Sequence, residues 1–347
     1  MKSLNQLLRK NILQLKPYSS ARDEYTGEEG TFLDANENPF NTPYNRYPDP
    51  HQRRLKGMIA ELKELGDDQI FLGNGSDEPI DLIYRAFCEP GIDNVISIDP
   101  TYGMYQVAAD VNNIGFKKIL LTTDFQLDTK ALLAAADENT KLLWICSPNN
   151  PTGNCFKQED IVELLNNFPG IVVLDEAYID FSPEKSFLPH LKEYPNLIIL
   201  QTFSKAWGMA GIRLGMAFAR PEIIQILSKI KYPYNVNILT QQKAMELLTQ
   251  NKDKTNEWKE LLLNQREFVK AELKKLSFVQ TIYPSDANFL LIKVEGAKKI
   301  YSFLANQEII IRDRSSVALC DGCLRITIGS PEENQVLLEA LKLYTAN

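Results

Sequence analysis

Short apolar runs alternate with amphipathic segments along the first two thirds of the chain. Ile171–Leu174, Leu142–Ile145 and Leu197–Leu200 each lack a polar interruption, which indicates strands buried on both faces. Segments with helical spacing, such as Asp77–Cys88 and Lys157–Phe168, separate runs of this kind. The alternation predicts an α/β fold in which helices cover both faces of a mostly parallel central sheet.

The two ends of the chain follow different patterns. An amphipathic helix is expected near 3–11, and an extended arm follows it. Beyond Pro233 we expect helices near 237–249 and 252–276, strands near 289–294, 309–311 and 324–328, and a last helix after Pro331. These elements predict a smaller α+β domain. The expected organisation is an arm over 1–44 that packs with the small domain, a large domain over 45–235 and a small domain over 236–347.

Composition and charge narrow the classes of partner. The 347 residues carry a formal net charge of −7 and no basic tract, so we expect neither nucleic acid nor a membrane surface as partner. No apolar run approaches the roughly 20 residues of a membrane span, and the segment 1–6 lacks the apolar core of a signal peptide. The five cysteines are odd in number and are expected to be reduced thiols. These features predict a cytoplasmic protein.

Lys205 is the first candidate for chemistry. It follows the apolar run 197–200 and lies among hydroxyl-bearing residues and glycines, with Arg213 eight positions further on. A surface charge at a strand end is one explanation of such a lysine. The other is a desolvated amine close to a cation, because both influences lower the pKa of a lysine and let it attack a carbonyl.

A carboxylate and a tyrosine follow another buried strand. Asp175 ends the run 171–174, at the position where open α/β sheets bind their ligands. A carboxylate there suits a cofactor ring nitrogen that must stay protonated, as in pyridoxal phosphate. Tyr178, three residues on, is placed to reach a ring hydroxyl. A helix cap at Asp175 with Tyr178 as packing is the alternative.

Two loops with glycine or proline follow other strands. Cys146–Asn154 has the composition of a tight turn that can aim an asparagine amide at a ligand, although a plain turn has the same composition. Gly73–Glu78 precedes a predicted helix, and glycines at a helix N-terminus let backbone amides approach an anion. Ser76 is the expected N-cap of that helix, with or without an anion.

Cys320 and Cys323 form a Cys-x-x-Cys pair, a spacing found in redox pairs and in zinc sites. The sequence has no second pair of this kind, and His51 and His190 show no ligand spacing. We therefore expect no metal. The pair is interpreted as part of a loop that leads into the strand near 324–328.

Three of these segments, in their order and spacing, resemble the fold-type I pyridoxal-phosphate aminotransferases. They are Ser147–Gly153, Asp175–Tyr178 and the run from Ser204 to Arg213. The further similarity is to the histidinol-phosphate aminotransferases, and it rests on 15–22, 34–39, 45–50, 76–78, 86–91, 100–105 and 323–329. This resemblance implies transamination between L-glutamate and imidazole-acetol phosphate, which yields L-histidinol phosphate and 2-oxoglutarate in histidine biosynthesis.

The resemblance also implies a cofactor, pyridoxal 5'-phosphate, and the residues that hold it in the large domain. Lys205 would bind it covalently and act as general base, Asp175 would face the ring nitrogen, and Asn150 and Tyr178 would face the ring oxygen. Tyr102 would stack on the ring. The residues implied to hold the cofactor phosphate are Ser76, Asp77, Thr202, Ser204, Arg213 and, from a neighbouring subunit, Tyr47. A homodimer with shared sites follows from this last residue.

For the substrate, the resemblance implies Arg312 and Arg325, whose guanidinium groups match a phosphate or the carboxylates of glutamate. Tyr18 and Asn36 of the arm would line the same pocket, and Glu37 is a further candidate. Three alternatives stay open: an aromatic-amino-acid aminotransferase, a threonine-phosphate decarboxylase and a non-enzymatic regulator that binds the cofactor. A regulator of that kind needs a DNA-binding module, and the chain has no spare segment for one.

Overall fold

The structure is a computed structural model that describes residues 2–19, 21–25, 27 and 30–346. The fold is built around two β-sheets. The larger sheet has seven strands: β1 Ile70–Asn74, β2 Asn94–Asp99, β3 Gly115–Leu120, β4 Thr140–Cys146, β5 Ile171–Asp175, β6 Leu197–Thr202 and β7 Leu214–Phe218. Their order is β1-β7-β6-β5-β4-β2-β3, and β7 runs antiparallel to both of its neighbours. The other pairings in this sheet are parallel, as the sequence predicts.

Helices cover both faces of the larger sheet. They are α4 Arg53–Lys63, α5 Asp77–Phe87, α6 Met104–Val111, α7 Thr129–Ala134, α8 Gln158–Asn167 and α9 Pro221–Ile230. Alternate residues of β5 belong to opposite cores: Val172 and Leu174 pack in one cluster, while Ile171 and Val173 pack in the other. Because successive side chains of a strand point to opposite faces, a strand covered on both sides must be apolar throughout.

The smaller sheet is antiparallel and lies in the carboxyl-terminal part of the chain. Its order is β10-β11-β9-β8, from β8 Val279–Ile282, β9 Phe289–Val294, β10 Arg312–Asp313 and β11 Cys323–Thr327. The helices of this part are α10 Ile238–Gln250, α11 Lys252–Leu273, α12 Ala297–Asn306 and α13 Pro331–Ala346. The predicted fold class is thus confirmed, and the domain bounds at residues 44 and 235 stay a prediction. None of the described helices combines the length and apolar character needed to cross a bilayer.

Some predicted elements are wrong in detail. The expected helix over 3–11 is two short helices, α1 Leu4–Leu7 and α2 Lys10–Gln14, because Leu8 and Arg9 between them have extended backbone. A third short helix, α3, spans Ala21–Glu24. The strand expected at 309–311 lies instead at 312–313, since the ladder with β11 begins at Arg312.

The topology sets the position of the functional site. Strands β1, β2, β4, β5 and β6 lie in the larger sheet with the same orientation, so their carboxyl ends meet at one edge. The residues that follow those ends are the loops that the sequence singled out. Ligands of open α/β sheets bind at this edge.

Candidate active site

A cleft opens at the carboxyl edge of the larger sheet. It contains about 610 Å³ of empty space, part of which is open to solvent. Its lining comes from the ends of several strands and from the turns after them: Gly75, Ser76, Asp77, Tyr102, Cys146, Asn150, Asp175, Ala177, Tyr178, Thr202, Ser204, Lys205, Ala210 and Arg213. Every residue that the sequence predicted to contact the cofactor from the same chain is in this set.

Lys205 lies in the turn after β6, at the mouth of the cleft. Its Nζ is 5.6 Å from the centre of the Tyr178 ring. Although the side chain is exposed, the protein packed around it lowers the pKa of its amine, and the nearby charge of Arg325 lowers it further. Asp175 acts in the opposite direction. A lowered pKa makes the neutral, nucleophilic amine more abundant.

Asp175 lies at the bottom of the cleft, at the last position of β5, and is 3% exposed. Burial raises the pKa of its carboxyl group to about 6. Two donors act against that effect: the Tyr105 hydroxyl donates to Oδ2 at 2.6 Å, and the Ala177 backbone N–H donates to Oδ1 at 3.0 Å. A buried carboxylate with few partners is a suitable counter-charge for a cationic ligand atom.

Tyr178 and Asn150 line the cleft, and Arg325 reaches Asn150 from β11 of the smaller sheet. The Arg325 Nη1 atom donates to Asn150 Oδ1 at 2.5 Å. Phe289 lies beneath both, with its ring centre 5.2 Å from that of Tyr178 and 5.3 Å from Arg325 Cζ. The site is therefore built from both sheets.

A cradle for an anion lies at the start of α5. Ser76 occupies the N-cap position, yet its hydroxyl makes no capping hydrogen bond. Gly75 has a φ of +68°, and a Cβ there would lie 2.5 Å from Arg213 Nη2, so the arginine approaches the backbone where a side chain is missing. The Thr202 hydroxyl donates to Ser204 Oγ at 3.0 Å on the same side. Helix N-terminal amides, hydroxyls and an arginine together match a phosphate.

Tyr102 closes the cleft next to this cradle. Its hydroxyl donates to Asp77 Oδ1 at 3.2 Å, and Arg213 Nη2 lies 3.4 Å from Asp77 Oδ2. The ring of Tyr102 meets the ring of Tyr105 edge-on at 5.5 Å. These contacts fix a flat aromatic surface above the site, and Asp77 aligns the tyrosine and the arginine.

Three arginines lie near one another and near Tyr178: Arg312 of β10, Arg325 of β11 and Arg314, which directly follows β10. Arg312 and Arg325 are direct partners across β10 and β11. Burial lowers the pKa of the Arg314 guanidinium, and Arg312 lowers it further. The Nε atoms of Arg314 and Arg325 are buried without a hydrogen-bond partner among the described residues. Mutually repelling, incompletely bonded arginines are suited to an anionic ligand.

Four predicted residues from the first 50 positions lie outside this cleft. Tyr47 is about half exposed and stacks on Tyr234, with ring centres 4.4 Å apart. Tyr18 is 73% exposed and lines a different groove, and Asn36 is exposed. Glu37 binds Arg46 and Arg22 of the arm instead of facing the cleft. The roles of Tyr18, Asn36 and Tyr47 stay predictions.

The Cys-x-x-Cys pair spans the turn that leads into β11, and Cys323 is the first residue of that strand. The Cys323 backbone N–H donates to the Cys320 carbonyl at 2.9 Å, and both thiols are fully buried. No group of three or more potential metal ligands occurs within the part of the chain that the structure describes.

Known proteins of one enzyme family match this chain over nearly its whole length. A model of the aminotransferase class I and II family matches residues 30–341. A histidinol-phosphate aminotransferase of Bacteroides thetaiotaomicron is 57% identical over 345 residues, 99% of each chain. The chain belongs to the histidinol-phosphate aminotransferase family. This family, within the class I and II aminotransferases, uses pyridoxal 5'-phosphate.

The solved structures that resemble this chain include a member of the same family and an enzyme that catalyses a different reaction. Histidinol-phosphate aminotransferase from Sinorhizobium meliloti, in complex with pyridoxal-5'-phosphate, superposes with a TM-score of 0.80 at 25% identity, covering 88% of this chain and 84% of that one. L-threonine-O-3-phosphate decarboxylase from Porphyromonas gingivalis reaches 0.74, also at 25% identity, over 88% and 92%. Enzymes with different reactions share this fold, so the fold alone does not select the reaction.

The residues of the cleft in this aminotransferase fit the cofactor. The missing Cβ at Gly75 lets Arg213 approach the backbone, and the cradle there carries donors suited to a phosphate. Asp175 offers a buried carboxylate for a protonated ring nitrogen. Lys205 offers an amine with a lowered pKa. The phosphate, the ring nitrogen and the carbonyl of pyridoxal phosphate would thus each have a matching group.

Two residues of the enzyme's site were missed in the sequence. Tyr105 lies one helical turn from Tyr102, so the spacing that brings the two onto one face was available. Its contact with Asp175 depends on how α6 packs on the sheet, which no local pattern reveals. Arg314 follows Arg312 by two positions, the spacing that places strand residues on one side.

Proposed function

We propose that this enzyme transfers the amino group of L-glutamate to imidazole-acetol phosphate, which yields L-histidinol phosphate and 2-oxoglutarate. The observation that carries the proposal is one cleft that combines Lys205, with its lowered amine pKa, and the buried carboxylate of Asp175, while Arg325 of the second sheet bonds to Asn150 in the cleft lining. Membership of the histidinol-phosphate aminotransferase family supports the same substrates.

Bound pyridoxal phosphate supplies a carbonyl that condenses with amines and a ring that accepts electrons released at the substrate's Cα. Lys205 is proposed to bind this carbonyl and, once the substrate amine displaces it, to take up and return the proton at Cα. Asp175 keeps the ring nitrogen protonated. The Tyr178 hydroxyl and the Asn150 amide donate to the ring oxygen, and Tyr102 packs on the ring face.

The cofactor phosphate is proposed to bind at the N-terminus of α5. The backbone amides near Ser76 and Asp77, the hydroxyls of Thr202 and Ser204, and the Arg213 guanidinium supply the donors. Support comes from the free Ser76 hydroxyl and from the close approach of Arg213 to Gly75. A dianion there also gains from the helix dipole.

The substrate's anionic groups are proposed to bind Arg312 and Arg325. Both half-reactions require an anion site, since glutamate carries two carboxylates and the other substrate carries a phosphate. The unpartnered Nε of Arg325 and the neighbouring charge of Arg314 support an anion at this point. Tyr18 and Asn36 are proposed to complete the pocket from the arm.

A screen of single half-reactions tests the proposed substrates. The cofactor-loaded enzyme is mixed separately with glutamate, histidinol phosphate, tyrosine and phenylalanine, and the pyridoxamine phosphate formed from each is measured. The proposal expects glutamate and histidinol phosphate to react fastest. A preference for tyrosine or phenylalanine over histidinol phosphate would instead indicate an aromatic-amino-acid aminotransferase.

The decarboxylase is a second candidate because a threonine-phosphate decarboxylase shares the fold. A decarboxylase releases carbon dioxide and needs no keto acid. The same loaded enzyme, incubated with phosphothreonine, should release no carbon dioxide if the proposed transamination is correct.

We also propose a homodimer in the cytoplasm, in which Tyr47 contacts the cofactor phosphate bound by the neighbouring subunit. Its ring is about half exposed and lies outside the cleft of its own chain, which supports a contact in trans. Mixing the inactive variants Lys205→Ala and Tyr47→Ala tests this arrangement. Hybrid dimers then contain one intact site and should regain activity, whereas a tyrosine that acted within its own chain would leave both sites defective.

A further inference from the structure

We propose that Tyr105 is a positioning residue that orients the Asp175 carboxylate and keeps it ionised opposite the cofactor's ring nitrogen. The inference rests on the proposed function for the presence of that cofactor. It concerns a residue behind the cleft, since Tyr105 is not part of the cleft lining. The evidence consists of a short hydrogen bond, a rigid aromatic stack and the charges around Asp175.

The hydrogen bond between Tyr105 and Asp175 is short and fully buried. The phenol oxygen lies 2.6 Å from Asp175 Oδ2, and the tyrosine side chain has no solvent exposure. The other carboxylate oxygen accepts the Ala177 N–H at 3.0 Å. Since each oxygen has one donor from the protein, the plane of the carboxylate is fixed, and the remaining lone pairs are left for a ligand.

An aromatic stack holds the Tyr105 ring in place. Trp144 stacks on it with ring centres 4.8 Å apart and planes 17° apart. Tyr84 also stacks on Trp144, with ring centres 5.2 Å apart. The Tyr84 hydroxyl donates to the Tyr105 backbone carbonyl at 2.8 Å. All three side chains are fully buried, so the phenol cannot turn away from Asp175 without disturbing the core.

Several titratable groups face Asp175. Tyr105 approaches from α6, Cys146 from β4, Asp77 from α5, Lys205 from the turn after β6 and Tyr178 from the turn after β5. Burial is the largest influence and raises the pKa of the Asp175 carboxyl, while the Tyr105 hydrogen bond is the largest influence that lowers it. Because burial and the Asp175 charge raise the pKa of the Tyr105 phenol well above its usual value, the phenol stays a donor.

The consequence concerns where one proton resides. A carboxylate stabilised by a hydrogen bond is a weaker base and leaves the shared proton on the ring nitrogen. Without the phenol, Asp175 Oδ2 would be a buried acceptor without this donor, and its basicity would rise. The proton would then move toward Asp175, and the ring would accept electrons less well.

The experiment compares Tyr105→Phe with Tyr84→Phe, which removes a buried hydroxyl from the same stack without touching Asp175. Each protein is reconstituted with ¹⁵N-labelled pyridoxal phosphate, and the ¹⁵N chemical shift of the ring nitrogen is measured by NMR at neutral pH. In Tyr105→Phe, the shift should move toward that of an unprotonated ring nitrogen. In Tyr84→Phe it should match the wild type.

A cofactor analogue isolates the effect on catalysis. With pyridoxal phosphate, the half-reaction with glutamate should slow about tenfold or more in Tyr105→Phe, the loss expected for a hydrogen bond to a charged group. With 1-deazapyridoxal phosphate, which has carbon in place of the ring nitrogen, Tyr105→Phe and wild type should react at equal rates. An equal loss with both cofactors, or an unchanged ¹⁵N shift of the ring nitrogen, would overturn the inference.

Two further measurements separate instability of the variant, and failure of the proposed function, from failure of the inference. If Tyr105→Phe is unstable, 3-fluorotyrosine at position 105 provides a stronger donor of almost the same shape, and the ¹⁵N shift should then move toward that of a fully protonated ring nitrogen. No change there would also overturn the inference. Failure of the wild-type protein to bind pyridoxal phosphate would instead refute the proposed function.

Discussion

Arg325 Nη1 donates to Asn150 Oδ1 at 2.5 Å and so joins the smaller sheet to the loop after β4 of the larger sheet. The contact orients two residues that were predicted for different tasks. It holds the arginine against the lining of the cleft, and it occupies the oxygen of the asparagine amide so that the NH₂ group is left free to donate to a ligand. With the proposed roles of the two residues, substrate recognition and cofactor recognition would be coupled through one hydrogen bond.

The first prediction concerns the charge of Arg325. Arg325→Gln removes the neighbouring charge that most strongly lowers the pKa of the Lys205 amine, so that pKa should rise. Less neutral amine is then present at neutral pH, and the rate at which the apoprotein captures pyridoxal phosphate should reach its plateau at higher pH. Stopped-flow absorbance across a pH series measures this shift.

Arg220→Gln is the control for that experiment. Arg220 donates to the Lys192 carbonyl at 2.6 Å and lies outside the cleft. Its replacement should leave the pH profile of cofactor capture unchanged. If both variants shift the profile equally, a specific effect of Arg325 on Lys205 is contradicted.

The second prediction concerns the stability of the protein without cofactor. The carboxyl pKa of Asp175 is raised from 3.8 to about 6, so its contribution to stability is fully present below about pH 4 and is lost as the pH rises through 6. Asp175→Asn does not titrate. The wild type therefore loses about 3 kcal/mol of unfolding free energy between pH 4 and 7, relative to the variant.

Urea unfolding of both apoproteins at several pH values measures this difference. The variant should also lose most transamination, because a neutral amide does not keep the ring nitrogen protonated. A difference in stability that stays constant from pH 4 to 7 would contradict the raised pKa of the Asp175 carboxyl.

The third prediction uses two glycines with the same backbone conformation. Gly75 and Gly208 have φ values of +68° and +65°, so alanine at either position should cost about 1 kcal/mol of stability. A Cβ at Gly75 would also lie 2.5 Å from Arg213 Nη2, whereas a Cβ at Gly208 meets open space. Gly75→Ala should therefore displace Arg213 and weaken pyridoxal phosphate binding by about tenfold, the loss of one charge-assisted hydrogen bond.

Equilibrium dialysis of the cofactor separates these two effects. Gly208→Ala should keep nearly the cofactor affinity of the wild type despite its loss of stability. Equal affinities for the two variants would contradict the proposed phosphate cradle.

The fourth prediction concerns the arm. Arg22 and Arg46 each lie 2.8 Å from Glu37 Oε2, and the Tyr47 N–H donates to Glu37 Oε1 at 2.7 Å. Glu37→Gln should loosen the arm, so limited proteolysis within residues 20–50 should become faster. Glu246→Gln removes an exposed ion pair with Lys243 outside the arm and should have little effect, since such pairs contribute about 0–1 kcal/mol. Equal digestion rates of the two variants would contradict the role of Glu37.

The sequence predicts the residues proposed to contact the cofactor better than it predicts the residues that hold them in place. Lys205 and Asp175 follow apolar runs whose burial is visible in the pattern, and parallel strands bring their carboxyl ends together. The contact of Tyr105 with Asp175 spans 70 positions and depends on tertiary packing. The strand at Arg312 is only two residues long, so its ladder, rather than its own apolar pattern, defines its bounds.

The arm shows a second limit of the sequence. Glu37 was a candidate for the substrate pocket because it lies beside Asn36 in a segment shared with the family. In the structure its carboxylate binds two arginines of the arm instead. A carboxylate near a predicted site has the same local pattern whether it binds ligand or holds a loop, and long-range contacts decide between the two.

Covalent labelling of Lys205 is the most direct test of the account. The protein is incubated with pyridoxal phosphate, reduced with borohydride, digested and analysed by mass spectrometry, with Lys205→Ala as the control. We expect the phosphopyridoxyl group on Lys205 in the wild type and on no residue of this cleft in the variant. A wild-type protein that carries no label, or carries it on a different lysine, would contradict the central claim.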